Sequence, residues 1–463
     1  MPPSLADIWP RLQPILQHWL RFSQDEAAVR EHQLGMVRDG CFLMPSPFGE
    51  GGDRCLASFC FDFRFFYRFQ AQEDYFWVTS LLARGYCLSS IFLPRRAIVI
   101  DLFPDAAPAD LYSSFAATYG TAKTNVSPDV IDASPAIAVT GFHHPMHVLW
   151  NELPALDALV ASPPTSQLKV AVRYEPFGPT ESLFPELASC LTRVNTNDIF
   201  TLNISERFLV GLGSRTITAA TQNRVRTVAE QLATQPVLDA RERFRADHWP
   251  ILWVSVKPPH RTPIQQVAIL VKLLERFQEA YPRSGFLVDG ASFPWDYDRS
   301  DAYGNWFRDY LWTEKTESAA IIVQLLHSLP PSVRAHVVLL NGLTMCQEIA
   351  WGEVADFYFC HGGTMQNKIG WIHRIPGMLH SNTSFMSTYS QMYAPVENGI
   401  PCQLLPADLV LDDALGSYSD LQLARRDKDY QFTSLEEVVS CVLLAFRESE
   451  AKGDNEHLTL ETT

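Results

Sequence analysis

The clearest pattern along the chain is an alternation that begins near residue 250. PILWVSVK (250–257) is a continuous apolar run, and PIQQVAILVKLLERFQEAYP (263–282) repeats apolar residues at helical spacing between two prolines. SGFLVDG (284–290), SAAIIVQLLHSL (318–329), AHVVLLNG (335–342), TMCQEIAWGEVA (344–355) and DFYFCHGG (356–363) continue the same order. Short apolar runs bounded by turn residues read as buried strands, and the stretches between them carry the helical period. Proline opens and closes the first helix, where a missing N–H costs least. Strict alternation predicts a parallel sheet covered by helices on both faces, with right-handed crossovers. The second half is therefore read as a Rossmann-like domain.

The first half is less regular. ASFCFDFRFFYRF (57–69) and RAIVIDLF (96–103) are β-prone, and LKVAVRYEP (168–176) and ERFLVGLGS (206–214) are further strand candidates. In HVLWNELPALDALVA (147–161), Leu149, Leu153, Leu156 and Leu159 fall near one helical face. QNRVRTVAEQLATQ (222–235) is a helix placed to bridge the halves, and the last helix (434–449) opens with a Ser-x-x-Glu capping box. A chain of 463 residues exceeds one ordinary core, so two domains, 1–235 and 236–463, are expected. Leu5, Ile8, Leu12, Ile15, Leu16 and Trp19 recur at helical spacing, broken by Pro10 and Pro14. Such a segment suits a membrane surface or the body of the protein, and docking on the body is favoured.

Composition narrows the classes. With 47% hydrophobic and 19% charged residues the chain reads as folded and globular. A formal charge of −15 argues against a nucleic-acid partner, while leaving room for a local basic site that takes a diphosphate. Nine cysteines without a CxxC pair argue for reduced thiols in a cytoplasmic protein, not for zinc or a disulfide framework. The first residues lack the pattern of a signal peptide, and no apolar run is long enough to span a bilayer. The expected location is cytoplasmic, with the inner face of the membrane as the one membrane contact considered.

Ligands of open parallel sheets bind beyond the carboxyl ends of the strands. The loops there carry Lys257, His260 and Arg261, then Asp289, then Asn341 and Gly342, and finally HGGTMQNK. In the last, Gly362 and Gly363 allow close backbone approach, and a helix starting at Thr364 would aim its free amides at an anion. Gln366 and Asn367 add neutral hydrogen-bonding groups, and Lys368 adds charge. Neither GxGxxG after an early strand nor GxxxxGK[ST] occurs, which argues against dehydrogenases and P-loop enzymes. Upstream, GFHHPMHVLWNELPAL (141–156) gathers His143, His144 and His147 ahead of Asn151 and Glu152. HHxxH followed by Glu is not a zincin pattern, and no metal is expected. An imidazole or carboxylate there could act as a general base. Asp-Tyr-Asp within 293–306 is read as a solvated loop, not a cation site.

HVLWNELPAL and LTMCQEIAWGEVADFYFCHGGTMQNKIGWIHRIPG together resemble the family 61 type glycosyltransferases, in motif order and nearly in spacing, and WVSVKPPHRTP is similar to that family's basic strand end. The resemblance spans about 141–377. Asn151 stands where the family usually has Asp, Gln347-Glu348 inverts the usual pair, and KPPHR lacks the arginine-rich run. The resemblance implies a GT-B architecture, that is, two Rossmann-like α/β domains facing a cleft, with the final helix crossing back to the first. It implies a nucleotide-sugar donor on the second domain, a glycan or glycoconjugate acceptor on the first, no cofactor or bound metal, and inverting transfer of a hexosyl or pentosyl group. The base candidates are His147, Glu152 and His144. The donor-side candidates are Lys257, Arg261, Asn341, Gln347, His361, Gly362, Gly363, Thr364, Gln366, Asn367 and Lys368, with Glu348 set aside as a helix-surface residue. Two rival classes stay open: a non-catalytic scaffold of the same shape, and another two-Rossmann enzyme such as a sugar epimerase or a phosphate-ester enzyme.

Overall fold

The computed structural model describes residues 5–22, 25–41, 43–48, 51–61, 64–71, 74–81, 90–96, 98–101, 136–142, 144–162, 168–195, 208–258, 261–299, 305–392, 399–413 and 428–460. The chain divides into two compact units. The first comprises Met1–Glu175, Pro179–Thr221 and Arg299–Ala302; the second comprises Pro176–Gly178, Gln222–Asp298 and Tyr303–Thr463. Both mix helices with a parallel sheet, so the fold class is α/β.

In the first unit, β1 (Leu43–Pro45), β2 (Gly52–Phe61), β3 (Arg64–Ala71), β4 (Asp74–Leu81), β5 (Ser90–Leu93) and β6 (Ile98–Asp101) form an antiparallel sheet in chain order. The β-prone run at 57–69 is thus two strands of one hairpin. A parallel sheet follows, made of β7 (Ile137–Thr140), β8 (Lys169–Val172), β9 (Leu191–Arg193) and β10 (Leu209–Gly211) in the order β10-β7-β8-β9. Strand β10 backs onto the antiparallel sheet: Leu209 N–H donates to Ser58 Oγ at 2.6 Å. A Cβ on Gly211 would stand 2.5 Å from the Phe65 ring, so only glycine allows this approach.

The N-terminal helix, Leu5–Phe22, runs through both prolines. Ile8, Leu12, Ile15, Leu16 and Trp19 are buried, whereas Pro10 and Pro14 lie on its exposed side. It docks on the protein, with Trp19 edge-on to His32 of the helix Glu26–Asp39 at 5.5 Å. No described helix is long and apolar enough to cross a membrane.

The second unit is built on β11 (Ile251–Ser255), β12 (Gly285–Asp289), β13 (Val337–Leu339), β14 (Phe357–His361), β15 (Gly377–His380) and β16 (Cys402–Leu404). All pairings are parallel and the order is β13-β12-β11-β14-β15-β16, the doubly wound arrangement expected. Strands β17 (Val410–Asp412) and β18 (Tyr430–Phe432) add an antiparallel pair. On one face Leu252, Val254, Phe286 and Phe359 pack against Leu270, Leu273 and Phe277 of the helix Gln266–Ala280. Each such side chain contributes about 1.5–3 kcal/mol by leaving water.

The final helix, Leu435–Leu460, belongs to this same core through Val438, Val439, Val442, Ala445 and Phe446. Its apolar stripe meets Phe277 and Phe357, each within 6 Å of Phe446. Ser434 Oγ accepts from Glu437 N–H, as its capping motif predicts. The Asp-Tyr-Asp loop is only partly solvated: Asp298 is exposed, whereas Asp296 and Phe293 are buried, and Phe293 N–H donates to Leu343 O.

Candidate functional site

In the second unit the strand order turns between β11 and β14, the place where open α/β sheets bind ligands. The loop after β11 brings Lys257 and Arg261 there. Gln266 fixes the Lys257 backbone from both sides, accepting its N–H at 2.6 Å and donating to its carbonyl at 2.8 Å. Arg261 holds φ +55°, a conformation that costs a non-glycine residue of order 1–3 kcal/mol. Thr262 helps hold it, since its N–H donates to Asp429 Oδ1 and its hydroxyl to Pro258 O. The guanidinium lies 5.0 Å from the Phe385 ring. His260 lies outside the described residues.

His361 closes β14 and is buried. Burial drives its imidazole well below the usual histidine range, and the charges of Lys257 and Arg261, with His380, add to the effect. A neutral imidazole is thus held near two cations, with Asp429 and Asp412 also acting on the neighbouring Tyr430. His361 Nε2 lies 3.3 Å from Ser381 Oγ, and His380 Nδ1 lies 2.6 Å from Tyr430 OH, so this layer is tied together beneath the loops.

The glycine turn follows. Gly363 has φ +116° with open space where a Cβ would be. Gly362 N–H donates to His380 O, so this amide serves the β14–β15 ladder and not a ligand. Thr364–Gln366 starts a helix as expected, but Asn367–Trp371 continues it as a wider π turn. Gln366 and Asn367 are buried within it, facing the protein; Gln366 Nε2 reaches Tyr358 OH at 3.4 Å.

Lys368 also departs from expectation. It is buried, and Nζ donates to Asp289 Oδ1 at 2.7 Å, Ser292 Oγ at 2.6 Å and Glu348 Oε2 at 2.8 Å. Its three donors are thereby used, which leaves none for a diphosphate. Glu348 is not a helix-surface residue but a buried member of this cluster, and Ser292 Oγ hydrogen-bonds it as well. Burial raises both carboxyls while Lys368 opposes it. Burial alone would lower Lys368, yet Asp289 and Glu348 together hold it above its usual value.

Gln347 and Asn341 are likewise spoken for. Gln347 completes a capping box with Thr344. Asn341 Oδ1 accepts Ala291 N–H and its Nδ2 donates to Lys315 O, joining the ends of β12 and β13. The donor-side candidates that are half-buried, with part of their surface open to solvent, are Lys257, Arg261, Gly363 and Thr364.

The first unit repeats the arrangement on a smaller scale. Its parallel sheet turns between β7 and β10, and the histidine motif follows β7. The predicted single helix is a helical turn Pro145–His147, a π turn Val148–Glu152 and a helix Leu153–Ala161. Pro154 explains the widening: it lacks the N–H that would bond Trp150 O, and its ring crowds that carbonyl. Leu153 N–H instead reaches back to Val148 O. Such π turns occur often at functional sites.

His147 is half-buried, with Phe142 edge-on at 4.7 Å and Trp150 stacked at 5.9 Å. Its Nδ1 lies 3.0 Å from Asn151 Oδ1. His144 opens the turn, its ring 5.3 Å from that of His147. Glu152 is buried, and its Oε1 accepts Gly141 N–H at 2.7 Å and Phe142 N–H at 2.9 Å. Burial pushes this carboxyl up to about 7, although the two amides and Arg173 pull it down. Glu152 thus braces the loop that leads to the histidines. His143 lies outside the described residues.

Some members of these sites gave no local signal. Glu26 accepts Arg215 N–H at 3.0 Å and bonds Ser214 Oγ, and Gln33 accepts Gly213 N–H; these pairs are 180 or more residues apart. Ser255, Ser292, His380 and Tyr430 were equally hidden. Among the described residues no cluster of His, Cys, Asp and Glu is arranged to hold a metal.

No family model matches the chain, and no curated protein matches it. Solved structures with some likeness include a family 9 glycosyl transferase from Veillonella parvula, at 11% identity and a TM-score of 0.36, covering 68% of this chain and 97% of that one. MnaA of S. aureus in complex with UDP has 11% identity and a TM-score of 0.26, covering 63% and 66%. A UDP-forming α,α-trehalose-phosphate synthase from Burkholderia xenovorans has 10% identity and a TM-score of 0.25, covering 74% and 77%.

Proposed function

We propose that the protein is a glycosyltransferase that moves a sugar from a nucleotide-sugar donor to a hydroxyl acceptor on a glycan or glycoconjugate. The observation that carries this reading is the corner at the β11/β14 turning point. Lys257 and Arg261 are close enough for their charges to act on a neutral His361, which ends the strand leading into the open turn at Gly363. Two cations beside a glycine turn that leaves room for close approach suit a diphosphate leaving group, whose negative charge grows as the sugar departs. In this reading the acceptor oxygen bonds to the anomeric carbon, and the carbon–oxygen bond to the diphosphate breaks with its electron pair leaving on the diphosphate. The acceptor's proton passes to His147. A single displacement of this kind inverts the anomeric configuration and, in this proposal, uses no metal ion.

His147 is preferred to Glu152 as the base because it is half-exposed, whereas Glu152 is buried and already accepts two amides. The test is a thermal-shift series with UDP, GDP, CMP and dTDP sugars. One class should raise the melting temperature, since a ligand that binds only the folded state stabilises it. The rise should vanish in Lys257→Ala/Arg261→Ala, with the melting temperature of the unliganded protein little changed. Failure of every nucleotide to bind the folded protein would sink the reading. Product analysis separates transfer from epimerisation, because only transfer needs an acceptor.

A further inference from the structure

The side chain of Asn151 is fully buried between two groups whose hydrogen-bonding sense is fixed. On one side Ser214 O lies 2.6 Å from Nδ2. A carbonyl oxygen only accepts, so the amide nitrogen of Asn151 must face it. Ser214 N–H donates in turn to Asn151 O at 2.8 Å, which clamps the loop after β10 to this residue from both ends. The amide oxygen therefore points the other way, to His147 Nδ1 at 3.0 Å. That oxygen also only accepts, so Nδ1 must carry the hydrogen. A neutral imidazole has one such hydrogen, and the lone pair is then on Nε2.

We propose that Asn151 is a positioning residue that fixes His147 as the Nδ1–H tautomer and so makes Nε2 the nitrogen that receives the acceptor's proton. The inference rests on the reading of His147 as the base. The neighbouring groups serve the same end. Trp150 stacks on the imidazole at an interplanar angle of 17°, and its indole N–H donates to Arg215 O at 2.6 Å, so the same loop anchors the residues on both sides of the contact. An aspartate at this position would set a carboxylate against the Ser214 carbonyl. Asparagine satisfies the carbonyl and the imidazole together. Among the described residues, the titratable group seen against the ring is His144, and the buried Glu152, on which Arg173 acts, follows Asn151 in the chain.

The test is a long-range proton–nitrogen correlation spectrum of the full-length protein carrying nitrogen-15 histidine, recorded at pH 8. His147 is assigned by the signal lost in His147→Gln. The expected pattern is a protonated Nδ1 and a bare Nε2 in the wild type. Asn151→Leu should shift His147 toward the Nε2–H form and lower transfer by about 100-fold or more, the usual range for a lost general base. An Nε2–H pattern in the wild type overturns the proposal, as does an unchanged tautomer in a folded Asn151→Leu. If that variant does not fold, the wild-type spectrum alone decides. The spectrum is read without donor or acceptor, so it judges the tautomer lock separately from nucleotide binding, which judges the functional reading.

Discussion

Glu152 shows how a single buried carboxyl links the fold to pH. Its folded value of about 7 lies above the usual 4.5, so folding favours the protonated form. The stability this confers is complete below pH 4.5 and is lost as pH rises through 7. The difference corresponds to about 3 kcal/mol. Glu152→Gln keeps an oxygen for the Gly141 and Phe142 amides and removes the ionisation. It should therefore flatten the pH dependence between 4.5 and 7 and gain most over wild type at pH 8, as read by urea denaturation across that range. The Lys368 cluster makes the opposite case. Lys368→Met leaves Asp289 and Glu348 facing each other with no cation, and a loss of about 3–5 kcal/mol is expected in the same assay. Glu348→Gln should cost much less, because Lys368 keeps Asp289 as its counter-ion and the amide oxygen can still accept.

At the scale of elements, the π turn Asn367–Trp371 depends on Gly370. A Cβ there would lie 2.0 Å from Gln366 Nε2 and 3.0 Å from Tyr358 OH, and Gln366 is too buried to swing away. Gly370→Ala should cost about 1–3 kcal/mol and weaken nucleotide binding by displacing the glycine turn before it, measured by denaturation and by thermal shift. The sequence announced the helices and strands from 250 to 363 because central strands covered on both faces are continuous apolar runs. It did not announce β15 and β16, because GMLH and CQL, unlike the VVLL run that carries β13, form no continuous apolar run. The helix Gln235–Asp247 was missed for a related reason: it buries little beyond Arg241 and Phe244 and shows no stripe. The candidate site was suggested by an ordered set of motifs. Which side chains are consumed by the fold was not, because the partners of Lys368 and Asn151 lie 20 to 79 and 63 residues away in sequence.

At the scale of the whole molecule, charge and topology set separate limits. A net charge of −15 opposes polyanions, so the protein should not retard duplex DNA in a gel-shift assay at low salt, even though Lys257 and Arg261 are proposed to take a small diphosphate. Topology repeats: in each unit the motif follows a strand at which the order of the parallel sheet turns, and in each a π turn stands in the helix that comes next. A π turn holds one residue more than the α turn it replaces. Insertions and deletions in most proteins collect in surface loops, away from the chemistry. Here each unit has, inside a helix beside its candidate site, a place where descent can add or remove a single residue and leave the rest of the helix intact. Divergence in this lineage could therefore retune the site by changes of length as well as of side chain.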